Sequence, residues 1–308
     1  MKVLRWIILS VSGLLLLVSF AWLWLMHTTS GARLVINRAA SATGLEVAAV
    51  DGSIARGLEL QGIRYLSDGV EATVATLAAT VDISVLPTEI DIHDARVSGV
   101  RVAIAKGEPG DGATTDPAGI LESLVLPFPL HIEDVRATDI EIALEGYTQV
   151  IDSLALSATW YEDIEIHRLV VGTPELDLEG DAAIDLGLGN RITSNMLVSL
   201  KPALTGAREA IAIRFSSDGD VASAQVLATV DTFASVDGRV QWQDELLAEA
   251  DVTLDELELA DFVANWPAGF PVDGDLQVVV NDTELSLHDS ALRIGGTQGR
   301  IVIDAGLR

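Results

Sequence analysis

Three histidines, His93, His167 and His288, hold the same place in a recurring segment, and imidazoles repeated at one position could form a ladder of metal ligands. Asp94, Asp134 and Asp289 also coincide from copy to copy, so carboxylates that could serve as calcium ligands or catalytic groups accompany them. The pattern around these residues points away from such chemistry. The segment reads IDIHDARVSGVRVAI from Ile90, LHIEDVRATDIEIAL from Leu130 and IEIHRLVVGTPELDL from Ile164, with a truncated copy, LSLHDSAL, from Leu285. Aligned without gaps, the full copies are apolar at positions one, three, eleven, thirteen and fifteen, except where Pro174 takes the eleventh place. Alternation of period two puts Ile90, Ile92, Val100, Val102 and Ile104 on one face of a pleated chain and sends Asp91, His93, Arg101 and Ala103 to the other. The histidines are therefore expected in solvent, and the aspartates are expected to turn the chain through side-chain to backbone bonds. No HExxH, GxSxG or Walker sequence occurs, and GGTQG at Gly295–Gly299 reads as a hairpin turn. Nothing positions a Ser-His-Asp triad, so the expectation is a protein that is not an enzyme and uses no metal or cofactor.

The elements behind the pattern are strands. Each copy is expected to form two short strands with a polar joint, and units that cannot bury an apolar face alone stack into an extended β array. The inward positions Ile90, Ile92, Val102, Ile104, Ile132, Ile140, Ile142, Leu144, Ile166, Leu176 and Leu178 are the candidate lining of an acyl-chain groove. Apolar residues make up 49% of the chain and aromatic ones 5%, so such a lining would be aliphatic and free of directional hydrogen bonding. The same side chains suit a packed core equally well, because alternation identifies a buried side without showing what fills it.

The chain has 308 residues and a net charge of -27, from 19 basic and 46 acidic side chains, which excludes nucleic acid as a partner because phosphate binding needs clustered Lys and Arg. That charge also opposes adsorption to an anionic membrane surface. Attachment falls instead to the amino terminus, where Lys2 and Arg5 precede twenty-one uncharged residues, Trp6 to Met26, long enough as a helix to cross about 30 Å of hydrocarbon. Leu14, Leu15, Leu16 and Leu17 form its centre, and Trp22 and Trp24 suit a membrane interface. An uncleaved signal anchor is expected, with Lys2 and Arg5 cytoplasmic and the remainder exported. The absence of cysteine suits a bacterial extracytoplasmic protein.

Beyond the span, Ala32 to Thr43 is expected as a small amphipathic helix with Leu34, Val35 and Ala39 on one side, stopped by Gly44. LEVAAVDGSI and LELQGIRYL follow as strands about Gly57, then VEATVATLAATVDISVL ends at Pro87. Lys106 to Gly119 reads as a loop, with a short helix over Ala118 to Leu124. After Leu178, nine alternating segments from DAAIDLGLG to GRIVID read as strands in a largely antiparallel meander. A helix is expected around Leu259 to Asn265, followed by Trp266, Pro267, Phe270 and Pro271 as a plug at one end of the β core. The chain stops at Arg308 directly after a strand, which predicts the front portion of a longer protein. The domain expectation is 1–31 for cytoplasmic tip and anchor, 32–44 for the juxtamembrane helix and 45–308 for a periplasmic β domain.

TTSGARLVINRAA after the anchor, GLEVAAVDGSIARGLELQGIRY, LPFPLHIEDVRATDIEIAL and the later DELELADFVANWPAGFPVDGDLQ together resemble the amino-terminal part of the TamB family, within the wider AsmA-like group. The resemblance implies a mainly β protein: a transmembrane helix followed by an elongated, curled repetitive sheet, or β-taco, with a few short helices. It implies a single-pass inner-membrane protein whose bulk lies in the periplasm, handling phospholipids between inner and outer membranes. It also implies a TamA-type outer-membrane barrel as partner through a carboxy-terminal region absent from this chain. A scaffold for outer-membrane protein assembly is the alternative.

Overall fold

Thr28 caps the helix that begins at Thr29 because its backbone is extended, at φ -120° and ψ 148°, while its side-chain oxygen accepts a hydrogen bond from Gly31 N at 3.0 Å. The structure is a computed structural model that describes residues 20, 23–67, 70–85, 87–104, 124–144, 147–187, 190–207, 209–220, 222–242, 246–261, 269–281, 285–294 and 301–307. Helix α1 (Thr29–Thr43) ends at Gly44, whose φ of 72° lets its N–H reach back to Ala40 O. The chain divides into two compact units, residues 1–112 with 128–153 and residues 113–127 with 154–308.

In the first unit, β1 (Leu45–Ser53), β2 (Gly57–Ser67), β3 (Val70–Val85), β4 (Thr88–Ile104) and β5 (Leu130–Leu144) are neighbours in that order, with the start of β6 (Tyr147–Trp160) next. The pairs from β1 to β4 are antiparallel. α1 lays Ala32 and Ile36 against Val50 and Leu60, with Val47, Ile54, Leu58, Ile63 and Leu77 around them. The expected helix face is therefore corrected: Leu34 points away from this cluster and is 59% exposed. Arg33 Nε on α1 donates to Val50 O at 3.0 Å, tying the helix to the strand it covers.

The expectation of two short strands per repeat fails for the first two copies. Each is one long strand, β4 or β5, and the two run parallel with Ile90 opposite Leu130 and Val102 opposite Ile142. Parallel neighbours need a crossover connection of a dozen or more residues, which the stretch between Ile104 and Leu130 supplies. The loop expected at 106–119 falls within that stretch and lies outside the described residues, as does the helix expected at 118–124 apart from Leu124.

In the second unit the third repeat does form two strands, β7 (Asp163–Gly172) and β8 (Leu176–Asp185), paired antiparallel. Pro174 explains the difference. Lacking an N–H it cannot donate to a ladder, and the adjacent Thr173 side chain accepts from Glu175 N at 3.2 Å and Leu176 N at 3.0 Å, closing a turn. DAAID, expected as a separate strand, is the end of β8.

β9 (Ile192–Leu200), a short helix α2 (Pro202–Thr205), β10 (Ile211–Gly219), β11 (Ser223–Val230), β12 (Ala234–Trp242), β13 (Leu246–Leu257), β14 (Val272–Asn281), β15 (Leu285–Ile294) and β16 (Ile301–Leu307) complete the unit. Every strand pair from β7 to β16 is antiparallel. The helix expected around Leu259 is a single 3-10 turn, Leu259–Asp261, with the rest of that expectation outside the described residues. Trp266, Pro267 and Gly295–Gly299 lie outside them too, while Phe270 is 44% exposed rather than a plug.

Of the expected anchor, Trp6, Leu14, Leu15, Leu16, Leu17 and Trp22 lie outside the described residues. Residues 23–27 are helical, and Phe20, Leu23 and Trp24 are exposed. Among the described residues no helix is long and apolar enough to cross a membrane.

Candidate functional site

The polar joint of the repeat is a β-bulge. Opposite Thr80 and Val81 of β3 stand Asp94 and Ile92 of β4, leaving His93 as the extra residue. β7 carries an extra residue between Ile166 and Leu169, at His167 and Arg168, and β15 carries one between Leu287 and Ser290, at His288 and Asp289. The parallel register of β4 and β5 likewise passes over His93–Asp94 and Glu133–Asp134 together. The recurring dipeptide thus marks where an extra residue flips the alternation of the strand.

A second flip lies at position ten. Gly99 and Asp139 there have left-handed backbones, at φ 63° and 55°, and Gly62 on β2 has φ 61°. Ala48, Gly62, Ala75, Gly99 and Asp139 form a row across β1 to β5, each lying between paired neighbours. A Cβ built on Gly99 would meet Ala75 Cβ at 2.8 Å, and one on Gly62 would meet Ala48 Cβ at 2.9 Å. Glycine is required at both crowded crossings.

Two flips change which residues line the apolar side. Ile90 and Ile92, then Ala95 and Val97, then Val100 and Val102 share one face of β4, and Leu130, Ile132, Val135, Ala137, Ile140 and Ile142 share it on β5. Ala95, Val97, Val135 and Ala137 were not among the candidates, because a strict period of two assigns the span between the bulges to a joint. Repeated apolar pairs at an interval of five were the available signal. The face continues across the strands as Val47, Ile63, Val74, Val100 and Ile140 in one row and Val50, Leu60, Leu77, Val97 and Ala137 in the next.

This face is closed beneath α1 and in the middle of β4 and β5, where Ala95 is buried, and is more open towards the ends of those two strands. Under α1, Val50 and Leu60 are buried, and on the far strand so are Ala137 and Ile140. Ile90, Ile92, Val102, Ile132 and Ile142 are only half-buried. The side chains of Ile104 and Leu144 lie outside the described residues. In the second unit Leu178 faces Val198, Ile213, Val230, Ala234 and Leu254 along one row, and Leu176 faces Leu200 and Ile211. Ile166, Leu176 and Leu178 are again half-buried. The candidates are therefore brought together within each unit as rows of aliphatic groups.

The other face is polar. His167 and His288 are exposed there, within 3.0 Å of Thr159 Oγ1 and 3.1 Å of Ser286 Oγ respectively. The turn-forming role expected for the aspartates is corrected: Asp94 and Asp134 sit inside continuous strands and pair with Arg96 at 2.9 Å and Arg136 at 2.7 Å, each two residues on. His93 clips three strands. Its Nε2 lies 3.1 Å from Asp82 Oδ2 on β3 and its Nδ1 3.0 Å from Glu133 Oε2 on β5.

Both ring nitrogens can donate only in the imidazolium, so hydrogen bonding to Glu133 first and to Asp82 second raises the His93 pKa above 6.5. The clip's contribution is fully present below the unfolded pKa and is lost as pH rises through the elevated folded value. The melting temperature of His93→Ala or Glu133→Gln should accordingly fall below wild type near pH 5.5 and match it near pH 9. A deficit of equal size at both pH values would show that the imidazolium does not form the clip.

Among known families, a model described as the TamB N-terminal domain matches residues 16–183, which takes in α1, β1 to β7 and most of β8. No curated protein matches the chain.

Proposed function

Because the chain belongs to the TamB N-terminal domain family, we propose that it forms the inner-membrane end of a bridge across a bacterial envelope and shields phospholipid acyl chains along its apolar face. The observation that carries this reading is that the in-register aliphatic pairs towards the ends of β4 and β5, Ile90 with Leu130, Ile92 with Ile132 and Val102 with Ile142, stay half-buried. A packed core would bury such pairs, as the cluster beneath α1 does bury Val50 and Leu60. Each methylene moved from water onto that face gains about 0.8 kcal/mol, so an acyl chain lying along it has a favourable path through an aqueous compartment. Head groups would stay at the wet margin.

Trp6 to Met26 would anchor the chain in the inner membrane. Exposure of Phe20 at 73%, Leu23 at 54% and Trp24 at 41% supports that role, because large apolar groups on a helix flank need a hydrocarbon or protein cover. No Walker sequence occurs in these 308 residues, so direction would come from partners, including a TamA-type barrel, or from gradients.

Photocrosslinking probes at Ile92, Ile142 and Leu176 in cells test the reading. Phospholipid adducts are expected at these positions and not at His93, Glu141 or Asp177. If neither face gave adducts while control sites crosslinked efficiently, the apolar face would be a packed core, and a scaffold for outer-membrane protein assembly would replace lipid shielding.

A further inference from the structure

On the polar face of the second unit a concavity of about 760 Å³ opens over β8 to β13. Two leucines stand in it where alternation calls for polar groups: Leu197 on β9 is 38% exposed and Leu227 on β11 is 47% exposed. They are two strands apart and two residues out of register, about 12 Å, with Arg214 of β10 paired directly to Leu197 and the short Ser216 of β10 paired directly to Leu227. Ser216 is too short to cover the flank of Leu227, which stays open to a bulky apolar side chain from outside.

Beside this slot the charge is unbalanced. Leu227 faces Asp237 of β12, and Asp237 faces Asp251 of β13, so two carboxylates are directly opposed across adjacent strands. Like charges in that arrangement destabilise a sheet. Among the described residues neither carboxylate lies within ion-pair distance of a Lys or Arg, and Asp237 receives only a 3.4 Å hydrogen bond from Gln225. Both also line the adjoining hollow of about 570 Å³, where they and Asp218, Asp220 and Glu249 outnumber Arg239. Arg214 stands on β10, between the two leucine-bearing strands and paired directly to Leu197, two strands away from Asp237, and fixes the slot's polarity.

We propose that this slot docks a segment of a partner protein in which a Lys or Arg adjoins a bulky apolar side chain. The apolar group packs on Leu227, over Ser216. The cation sits over Asp237 and Asp251, relieves their repulsion and stays clear of Arg214. This surface is separate from the apolar face assigned to lipid, so the two readings stand or fall independently.

The full chain in nanodiscs of phosphatidylcholine, which carry no net charge, is titrated with a fluorescent peptide alternating leucine and lysine, and anisotropy reports binding. A serine–lysine peptide is expected to bind roughly tenfold more weakly, and a leucine–glutamate peptide not at all. Leu227→Ser should weaken the leucine–lysine peptide roughly tenfold and Asp251→Asn roughly threefold, while Glu165→Gln, on β7 away from the slot, leaves it unchanged. Asp251→Asn should also raise the melting temperature of the unliganded chain. Equal binding of the serine–lysine peptide, or a loss with Glu165→Gln matching that with Asp251→Asn, would reduce the interaction to adsorption on an acidic surface and overturn the proposal. No binding of the leucine–lysine peptide to the wild-type chain would overturn it as well.

Discussion

Leu60→Asp is expected to unfold the first unit, whereas Ile142→Asp leaves it folded and removes lipid adducts from its neighbours. Leu60 is 8% exposed and sits against Ala32 and Val50 in the cluster closed by α1, so a carboxylate there would lose its water without gaining a partner. That costs about 4 kcal/mol, a large share of the stability of any domain. Ile142 occupies the same face three strands and two rows away but is half-buried, so its carboxylate keeps contact with water and costs about 1 kcal/mol. Amide hydrogen exchange on the full chain in nanodiscs checks both. Loss of protection throughout β1 to β3 is expected for the first variant and near-native protection for the second. In cells, Ile142→Asp should abolish phospholipid adducts at Ile92 because the trough now contains a charge. Global loss of protection in both variants would mean that the face is sealed at Ile142 as it is beneath α1, and lipid shielding would lose its basis.

Much of the architecture was legible from residue spacing. Gly57, Pro87 and the alternating runs marked the ends of β1 to β3, and nearly every later segment read as a strand is one. Interruption and partnership were harder to read. At position ten of the repeat, Gly99 and Asp139 continue their strands through a left-handed backbone, while Thr173, beside Pro174, starts a turn. These outcomes follow from the next residue: Val100 and Ile140 can donate to a neighbour and Pro174 cannot. A fifteen-residue alignment averages over that difference.

The bulge dipeptides were visible as coincidences of His and Asp, but charge at a repeated place suggests chemistry before it suggests an extra residue in a ladder. Parallel pairing of β4 with β5 was hidden because the residues that dictate it, the long connection after Ile104, carry no apolar pattern. The apolar face was therefore read at the ends of each repeat and missed in the middle, at Ala95, Val97, Val135 and Ala137. On the outer face, Leu197 and Leu227 went unnoticed because single aliphatic residues at polar positions have no period to announce them.

The row of small residues explains how one sheet keeps an apolar side through both flips, and Gly99→Val tests it. Valine at φ 63° suffers the left-handed penalty of an L-residue, about 1–2 kcal/mol and more for a β-branched side chain. Its Cβ would also press on Ala75 Cβ at 2.8 Å, adding overpacking of about 1 kcal/mol or more. A loss of about 3 kcal/mol in chemical denaturation is expected, and Gly99→Asn should lose about half as much because asparagine tolerates this backbone. The effect reaches beyond stability. If β4 escapes the strain by returning to an ordinary extended backbone at position 99, its parity reverses beyond that point, sending Val100 and Val102 outward and Arg101 inward. Crosslinking would then show phospholipid adducts lost from Val102 while those at Ile92, before the flip, persist. Unchanged stability together with unchanged adducts at Val102 would mean that the left-handed residue is incidental and that the apolar face is maintained by other contacts.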